Sequence, residues 1–183
     1  MKRFVLTALL MTAPFAVQAD DVTDTLNSAL NAYNEGDIQY AIEEIDYAKQ
    51  LMRAMKKGAL EAFLPEPPAG WTREIDSDMA MGLGAIGGGV GTSEDYTNGS
   101  ENFSITLMAD NPMVGAMAGM IGSAGAMGAK IERVGREKFM VQNDEFTGLV
   151  DGRILVQASG DNPDLILEIL KSIDYKALGD FGQ

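Results

Sequence analysis

The sequence contains no cysteine and no histidine. Without cysteine the chain forms no disulfide and no thiolate-bound zinc or iron–sulfur site. Without histidine it lacks the commonest general base and the commonest side-chain metal ligand, which excludes serine and cysteine triads and HExxH metal sites. These absences exclude many enzyme classes and favour none of the remaining ones. We therefore expect a protein that is not an enzyme and that uses no cofactor.

Basic residues are also scarce, since 14 Lys and Arg stand against 27 Asp and Glu, for a formal net charge of −13. A strongly acidic surface repels the phosphates of nucleic acids and of anionic lipids. Nucleic acid is therefore not expected as a partner. The length of 183 residues fits one domain with a small appendage.

The first 19 residues have the pattern of a secretory signal peptide. Lys2 and Arg3 precede an apolar run over residues 4–17, and small residues at Val17 and Ala19 suit cleavage after Ala19. The apolar run is shorter than the ~20 residues that a membrane-spanning helix needs. A small, acidic protein without cysteine suits the bacterial periplasm, and we predict export to that compartment.

Residues 20–64 are predicted to form a helical hairpin. Apolar residues recur at helical spacing up to Tyr33, the run Asn34-Glu35-Gly36-Asp37 interrupts them, and a second helical pattern follows. The second pattern places these residues on one face: Ile38, Ala41, Ile42, Ile45, Ala48, Met52 and Met55.

Residues 32–37, with Ala41, Ile42 and Ala48 after them, resemble a single tetratricopeptide unit. In that unit small residues let the paired helices approach closely. Arg53 stands where the repeat has its closing proline. A peptide-binding superhelix needs at least ~3 repeats. The resemblance therefore implies a structural or docking appendage, with a peptide-binding array as the alternative.

Residues 65–183 are predicted to form an α+β domain, which gives the whole chain an α+β fold. Prolines at 65, 67 and 68 predict a stiff linker, and beyond it the apolar period changes to two. Asn98-Gly99 and Asp151-Gly152 predict tight hairpin turns. We expect an antiparallel sheet of five to seven strands with two packed helices, the strands lying within 71–75, 92–97, 103–107, 131–134, 139–142, 146–150 and 154–158.

The two helices begin with the same three residues. Asp110-Asn111-Pro112 and Asp161-Asn162-Pro163 each follow a predicted hairpin, and each offers an Asn N-cap with Pro at the first helical position. This repetition suggests two strand–turn–strand–helix units around a pseudo-twofold axis. The alternative is one favourable helix start that occurs twice.

As a whole the chain resembles a set of small exported proteobacterial proteins of unassigned activity. The shared motifs are the Leu64-Pro65 linker, Gly70-Trp71, the glycine- and methionine-rich segment, Asp110 to Met113, Ile131 to Gly135 and the closing helix. These motifs contain no catalytic residues, and the resemblance implies no activity.

Residues 79–91 contain no charged side chain. Gly82, Gly84 and Gly87 match the dinucleotide fingerprint GxGxxG, but neither the required strand before it nor the helix after it is present. We expect a glycine-rich loop. The loop either packs on its own sheet or contacts a protein partner or a lipid surface.

The helix predicted over 112–129 contains no charge before Lys130. Methionines at 113, 117, 120 and 127 form one stripe, and Gly115 and Gly119 form a GxxxG pair. We predict a core helix. An interface helix and, last, a membrane span are the alternatives, because the glycine and alanine content makes the segment weakly hydrophobic.

The function we predict is that of a non-enzymatic periplasmic interaction or accessory protein. Methionine adapts to partners of varied shape, so the residues expected to contact a protein partner are Met79, Met81, Leu83, Ile86, Val90, Met117 and Met120. One alternative is a Cu(I) carrier, because thioether sulfur is a soft ligand. Its candidate ligands are Met79, Met81, Met108, Met113 and Met117. The other alternative is a peripheral membrane protein that inserts the loop without spanning the bilayer.

Overall fold

The structure, a computed structural model, describes the backbone of residues 15–75 and 88–183 and the side chains of residues 21–75 and 88–183. The chain divides into two compact units, residues 1–55 and 56–183. A helical hairpin precedes an antiparallel sheet with further helices. The predicted α+β fold is confirmed.

The first unit is built on two helices, α1 (Phe15–Glu35) and α2 (Ile38–Glu61), which are joined by a two-residue turn. Gly36 has a φ of +87° in this turn, a conformation that favours glycine. Asp37 caps α2 by accepting a hydrogen bond from the Tyr40 backbone N–H at 3.1 Å. The last residues of α2 belong to the second unit.

Small residues are buried in the hairpin and large ones are not. Ala29 and Ala32 of α1 and Ala41 and Ala48 of α2 are buried, as the close approach of the helices requires. Of the residues predicted to share one face of α2, only the alanines are buried. Its large apolar residues stay exposed, namely Ile38, Ile42, Ile45, Met52 and Met55. One partner helix covers only a narrow stripe, and these side chains lie beside that stripe.

The second unit contains one sheet of seven strands in which every neighbouring pair is antiparallel. The spatial order is β1-β2-β3-β7-β6-β5-β4. The strands are β1 (Thr72–Ile75), β2 (Val90–Thr97), β3 (Asn102–Ala109), β4 (Lys130–Val134), β5 (Glu137–Gln142), β6 (Glu145–Val150) and β7 (Ile154–Gly160). Both predicted hairpin turns are present, with φ of +88° at Gly99 and +67° at Gly152.

The hydrophobic core lies on one face of this sheet, the core face. Alternation along β3 places Phe103, Ile105, Leu107 and Ala109 there, and all four are buried. Three segments contribute side chains to the same core: the end of α2 with the residues just after it, helix α4 (Pro163–Leu170) and helix α5 (Tyr175–Gly179). These side chains are Leu60, Leu64, Ile166, Leu170 and Leu178.

The other side of the sheet, the opposite face, carries helix α3 (Pro112–Ala124) and a short 3-10 turn, Gly125–Met127. The helix is shorter than predicted: it ends at Ala124 and passes into the 3-10 turn, which ends at Gly128 with a φ of +85°. Only Val114 and Ala124 of α3 are buried. The prediction of a core helix is therefore wrong: alanine and glycine side chains are too small to bury much surface, and most of the helix stays exposed.

The order of the strands agrees with the predicted pseudo-twofold axis, whereas the positions of the two helices do not. β3 and β7 are adjacent at the centre, with β2 and β6 outside them. An axis normal to the sheet would place both following helices on one face. Helix α4 packs in the core, whereas α3 lies on the opposite face, so the shared Asp-Asn-Pro triplet is a helix start used twice.

Candidate binding surface around helix α3

The beginning of α3 is fixed by a buried asparagine. The Oδ1 atom of Asn111 accepts a hydrogen bond from the Met113 backbone N–H at 2.8 Å, and its Nδ2 donates to the Gly88 carbonyl. Gly89 has a φ of +100°, and a Cβ there would lie 2.8 Å from the carbonyl oxygen of Ala109. Only glycine fits this position, so Asn111 and Gly89 together attach α3 to the start of β2.

Asp110, the residue before this N-cap, forms ion pairs with two other segments of the chain. Asp110 lies 2.6 Å from the Lys56 ammonium and 3.5 Å from the Arg153 guanidinium. Arg153 also donates to the backbone carbonyls of Gly179 and Phe181. These contacts connect the start of α3 to the end of α2 and to the carboxyl-terminal segment. The first turn of the helix is therefore held in place.

The outer side of α3 and of the turn after it is apolar and open. Met113, Met120 and Met127 are 49%, 68% and 81% exposed. No charged residue lies between Asp110 and Lys130. We call the surface formed by these three side chains the methionine surface. It is the exposed apolar patch that the second unit presents on α3.

The residues predicted to contact a partner differ in how exposed they are, and some of them lie outside the described part of the chain. Met120 is exposed and Met117 is partly buried. Val90 is only 6% exposed and belongs to the core, so its side chain is not part of an exposed surface. Four of the predicted residues lie outside the described part of the chain, namely Met79, Met81, Leu83 and Ile86.

The candidate Cu(I) ligands are distributed over two elements. Met113 and Met117 lie one turn apart on α3, and Met108 lies on the opposite face of β3, where it is partly buried. Met79 and Met81 lie outside the described residues. Among the side chains of residues 21–75 and 88–183, no three Asp or Glu side chains form a group that could hold a metal ion.

A groove of about 860 Å³ lies between α3 and the β4–β5 hairpin. Its apolar wall is formed by Ala118 and Ile121 of α3 together with Ile131 and Leu149 of the sheet. Its rim carries three cations, Arg133, Arg136 and Lys138. Sequence reasoning missed this site, although the spacing Arg133-x-x-Arg136-x-Lys138 around Gly135 was a visible signal in so acidic a chain.

A second depression, of about 530 Å³, lies at the end of α3. Met120 and Met127 of the methionine surface border it, together with Met140 and Val141 of β5 and Lys130. The depression therefore extends the methionine surface on to the edge of the sheet.

A buried polar cluster lies at the β1–β2 edge, away from α3. The Glu94 carboxylate is buried and lies 3.3 Å from the Arg73 guanidinium. The Tyr96 hydroxyl lies 2.8 Å from the Pro65 carbonyl and 3.2 Å from Glu94. Burial raises the pKa of Glu94, while Arg73 and the Tyr96 hydrogen bond lower it to a smaller extent. The cluster attaches the proline linker to the sheet, so its role is structural.

Comparison with protein-family models, with curated proteins and with solved structures found no match to this chain. Among the described residues, no helix combines the length and the hydrophobicity that crossing a membrane requires.

Proposed function

We propose that this protein is a non-enzymatic interaction protein of the bacterial periplasm that holds a protein partner on its methionine surface. One observation carries the proposal: helix α3 and the turn after it contain no charged residues and leave Met113, Met120 and Met127 about half to four-fifths exposed. Exposed apolar surface of this kind, where it is grouped on one element, is typical of an interaction site.

The chemistry of the surface suits a protein partner. The methionine side chain is unbranched and polarisable, so it adjusts to different partner shapes with little steric penalty. The hydrogen bonds of Asn111 and the ion pairs of Asp110 hold the start of α3 in place. The backbone is therefore fixed before binding, and only the side chains must become ordered.

Export is proposed from the sequence of residues 1–19, which has the pattern of a cleavable signal. The measurement is the amino-terminal sequence of protein released by osmotic shock. A chain beginning at Asp20 in that fraction supports export, and a full-length chain retained in the cytoplasm contradicts it.

Photocrosslinking in living cells tests the interaction itself. A photoreactive amino acid is placed at Met120, and a matched chain carries it at Lys171, which is exposed on the other side of the sheet. We expect a discrete adduct from position 120 and none from position 171. Adducts of the same mass from both positions, or none from either, would contradict a contact at this surface.

A second variant tests whether the methionine side chains themselves hold the partner or whether the partner only lies near them. Replacing Met113 and Met127 by Gln keeps their length and removes the apolar contact, while the probe remains at 120. We expect the adduct from position 120 to be lost although the purified variant remains folded. An unchanged adduct would mean that the methionines do not hold the partner.

A further inference from the structure

The rim of the groove between α3 and the β4–β5 hairpin carries an unusual concentration of positive charge. Residues 130–138 contain four of the 14 basic residues of the chain, although the protein as a whole has a net charge of −13. Arg133 and Lys138 are direct register partners across β4 and β5. Like charges that face each other across a strand pair destabilise a sheet.

Within the described part of the chain, these three cations have no carboxylate partner at ion-pair distance. Arg133, Arg136 and Lys138 are exposed, and none of them forms an ion pair with another described residue. Two carboxylates border the groove. Glu132 is paired with Lys130 at 3.0 Å. Glu137 is directed to the core face, where burial and, to a smaller extent, the charge of Glu137 raise the pKa of Tyr175. The rim is therefore a preformed site for an anion.

The groove next to these cations suits an alkyl chain. Its wall is formed by Ala118, Ile121, Ile131 and Leu149, and no neutral hydrogen-bonding side chain lines it. A hydrocarbon chain placed along these four residues has no polar groups to satisfy, and the cations of the rim lie beside it.

Glycine on the helix side keeps this space open. A Cβ atom at Gly122 would meet no other atom within 4 Å. A Cβ atom at Gly125 would lie 3.4 Å from Cγ1 of Ile131, so the groove is narrower at that position. The volume of about 860 Å³ falls within the usual range for small-molecule sites.

We propose that this groove binds a single-chain amphipathic anion, such as a long-chain carboxylate. The alkyl chain lies along Ile121, Ile131 and Leu149, and the anionic head lies between Arg133 and Lys138 with Arg136 beside it. The head relieves the repulsion between the two facing cations, so the site gains more from an anion than one exposed ion pair provides. This site is separate from the methionine surface and does not depend on the proposed protein partner.

Calorimetric titration of the mature protein with four probes tests the proposal, at concentrations below micelle formation. Dodecanoate carries both chain and head, acetate carries only the head, dodecyltrimethylammonium carries the chain with the opposite charge, and dodecyl phosphate carries a different anion. We expect dodecanoate and dodecyl phosphate to bind, and binding to weaken as salt is added. We expect acetate and dodecyltrimethylammonium to bind at least about tenfold more weakly.

Paired glycine variants localise the binding. Gly122→Leu places a side chain in the open space of the groove, whereas Gly119→Leu places the same side chain on the same helix outside it. We expect Gly122→Leu to weaken dodecanoate binding about tenfold or more, because the added atoms occupy the volume of the chain. Gly119→Leu is expected to leave the affinity within about twofold.

A second pair tests the head site. Arg133→Gln and Lys138→Gln should each weaken dodecanoate binding about three- to tenfold and reduce its salt dependence, whereas Lys171→Gln should change neither. Equal binding of dodecyltrimethylammonium and dodecanoate would overturn the proposal, because the charges would then play no part. Equal loss in Gly122→Leu and Gly119→Leu, or no binding of dodecanoate at all, would also overturn it.

Discussion

The guanidinium Nη1 of Arg73 lies 3.3 Å from Oε2 of Glu94, a carboxylate whose side chain is only 3% exposed. Burial raises the pKa of this carboxyl above its ordinary value of 4.5, and Glu61 and Glu66 raise it further, against the opposing effects of Arg73 and the Tyr96 hydrogen bond. The ion pair therefore reduces the penalty of burying Glu94 without removing it.

The pH dependence of the stability of Glu94→Gln tests whether burial or the attraction of Arg73 has the larger effect on the pKa of Glu94. A raised pKa in the folded state means that the stability contributed by Glu94 is fully present below its ordinary pKa of 4.5 and is lost as the pH rises through the folded value. Gln does not titrate. We expect the free energy of unfolding of the variant to increase relative to the wild type as the pH rises from about 4 to 8, measured by urea denaturation.

The matched control is Glu168→Gln, whose carboxyl is exposed on α4. If instead the wild type gains stability relative to Glu94→Gln as the pH rises, then the attraction of Arg73 outweighs burial and the pKa of Glu94 is lowered.

Tyr96→Phe removes the hydroxyl that lies between the Pro65 carbonyl and Glu94. The ring can still stack on Phe103 at a centroid distance of 4.5 Å, so the substitution isolates the hydrogen bonds. A buried acceptor without its donor costs about 1–3 kcal/mol. We expect that loss in the free energy of unfolding. Tyr33→Phe, at an exposed position, should change it by less than about 0.5 kcal/mol, and equal effects of the two variants would contradict a role for the Tyr96 hydroxyl in holding the linker.

Asn111→Ala should destabilise the protein more than Asn162→Ala. Both side chains cap a helix, since Asn111 accepts from Met113 N–H and Asn162 from Leu165 N–H at 3.2 Å. A lost cap costs about 0.5–2 kcal/mol. Asn111 also donates to the Gly88 carbonyl, which would lose its partner. Thermal unfolding of the two variants measures the difference, and equal losses would show that the bond to Gly88 contributes nothing.

Gly148→Ala and Gly119→Ala should have opposite effects. A Cβ at Gly148 would lie 2.7 Å from Cε1 of Phe139, a fully buried ring, so overpacking should destabilise the fold by about 1–3 kcal/mol. A Cβ at Gly119 meets nothing within 4 Å, and alanine in a helix interior is favoured over glycine by about 0.5–1 kcal/mol. Urea denaturation of both variants is the measurement. A stabilised Gly148→Ala would mean that Phe139 has room to move.

The elements of this fold could be predicted because their causes are local. Asn98-Gly99 favours a tight turn, since glycine accepts the positive φ that the turn needs. Asn111-Pro112 and Asn162-Pro163 begin helices through a hydrogen bond within three residues. The alternation of Phe103, Ile105 and Leu107 requires only the two-residue period of a strand.

The candidate sites could not be predicted in the same way. The methionines at 113 and 120 have the spacing of a buried stripe, but the stripe lies on the side of α3 that the sheet does not cover. Val90 belongs to the residues predicted to contact a partner, and it is buried in the core. In each case exposure depends on what packs against the residue, and that neighbour is distant in sequence.

The sequence by itself determined the class of the fold, the turns, the helix starts and the acidic charge, because these follow from local backbone preferences and from composition. Only the tertiary structure decided that α3 lies on the opposite face, that Glu94 is buried beside Arg73, and that the cations at 133 and 138 border an apolar groove. Each of these depends on long-range packing, in which one face of an element is covered and the other is left open. Periodicity identifies the two faces of an element, and the packing of distant segments decides which of them meets the solvent.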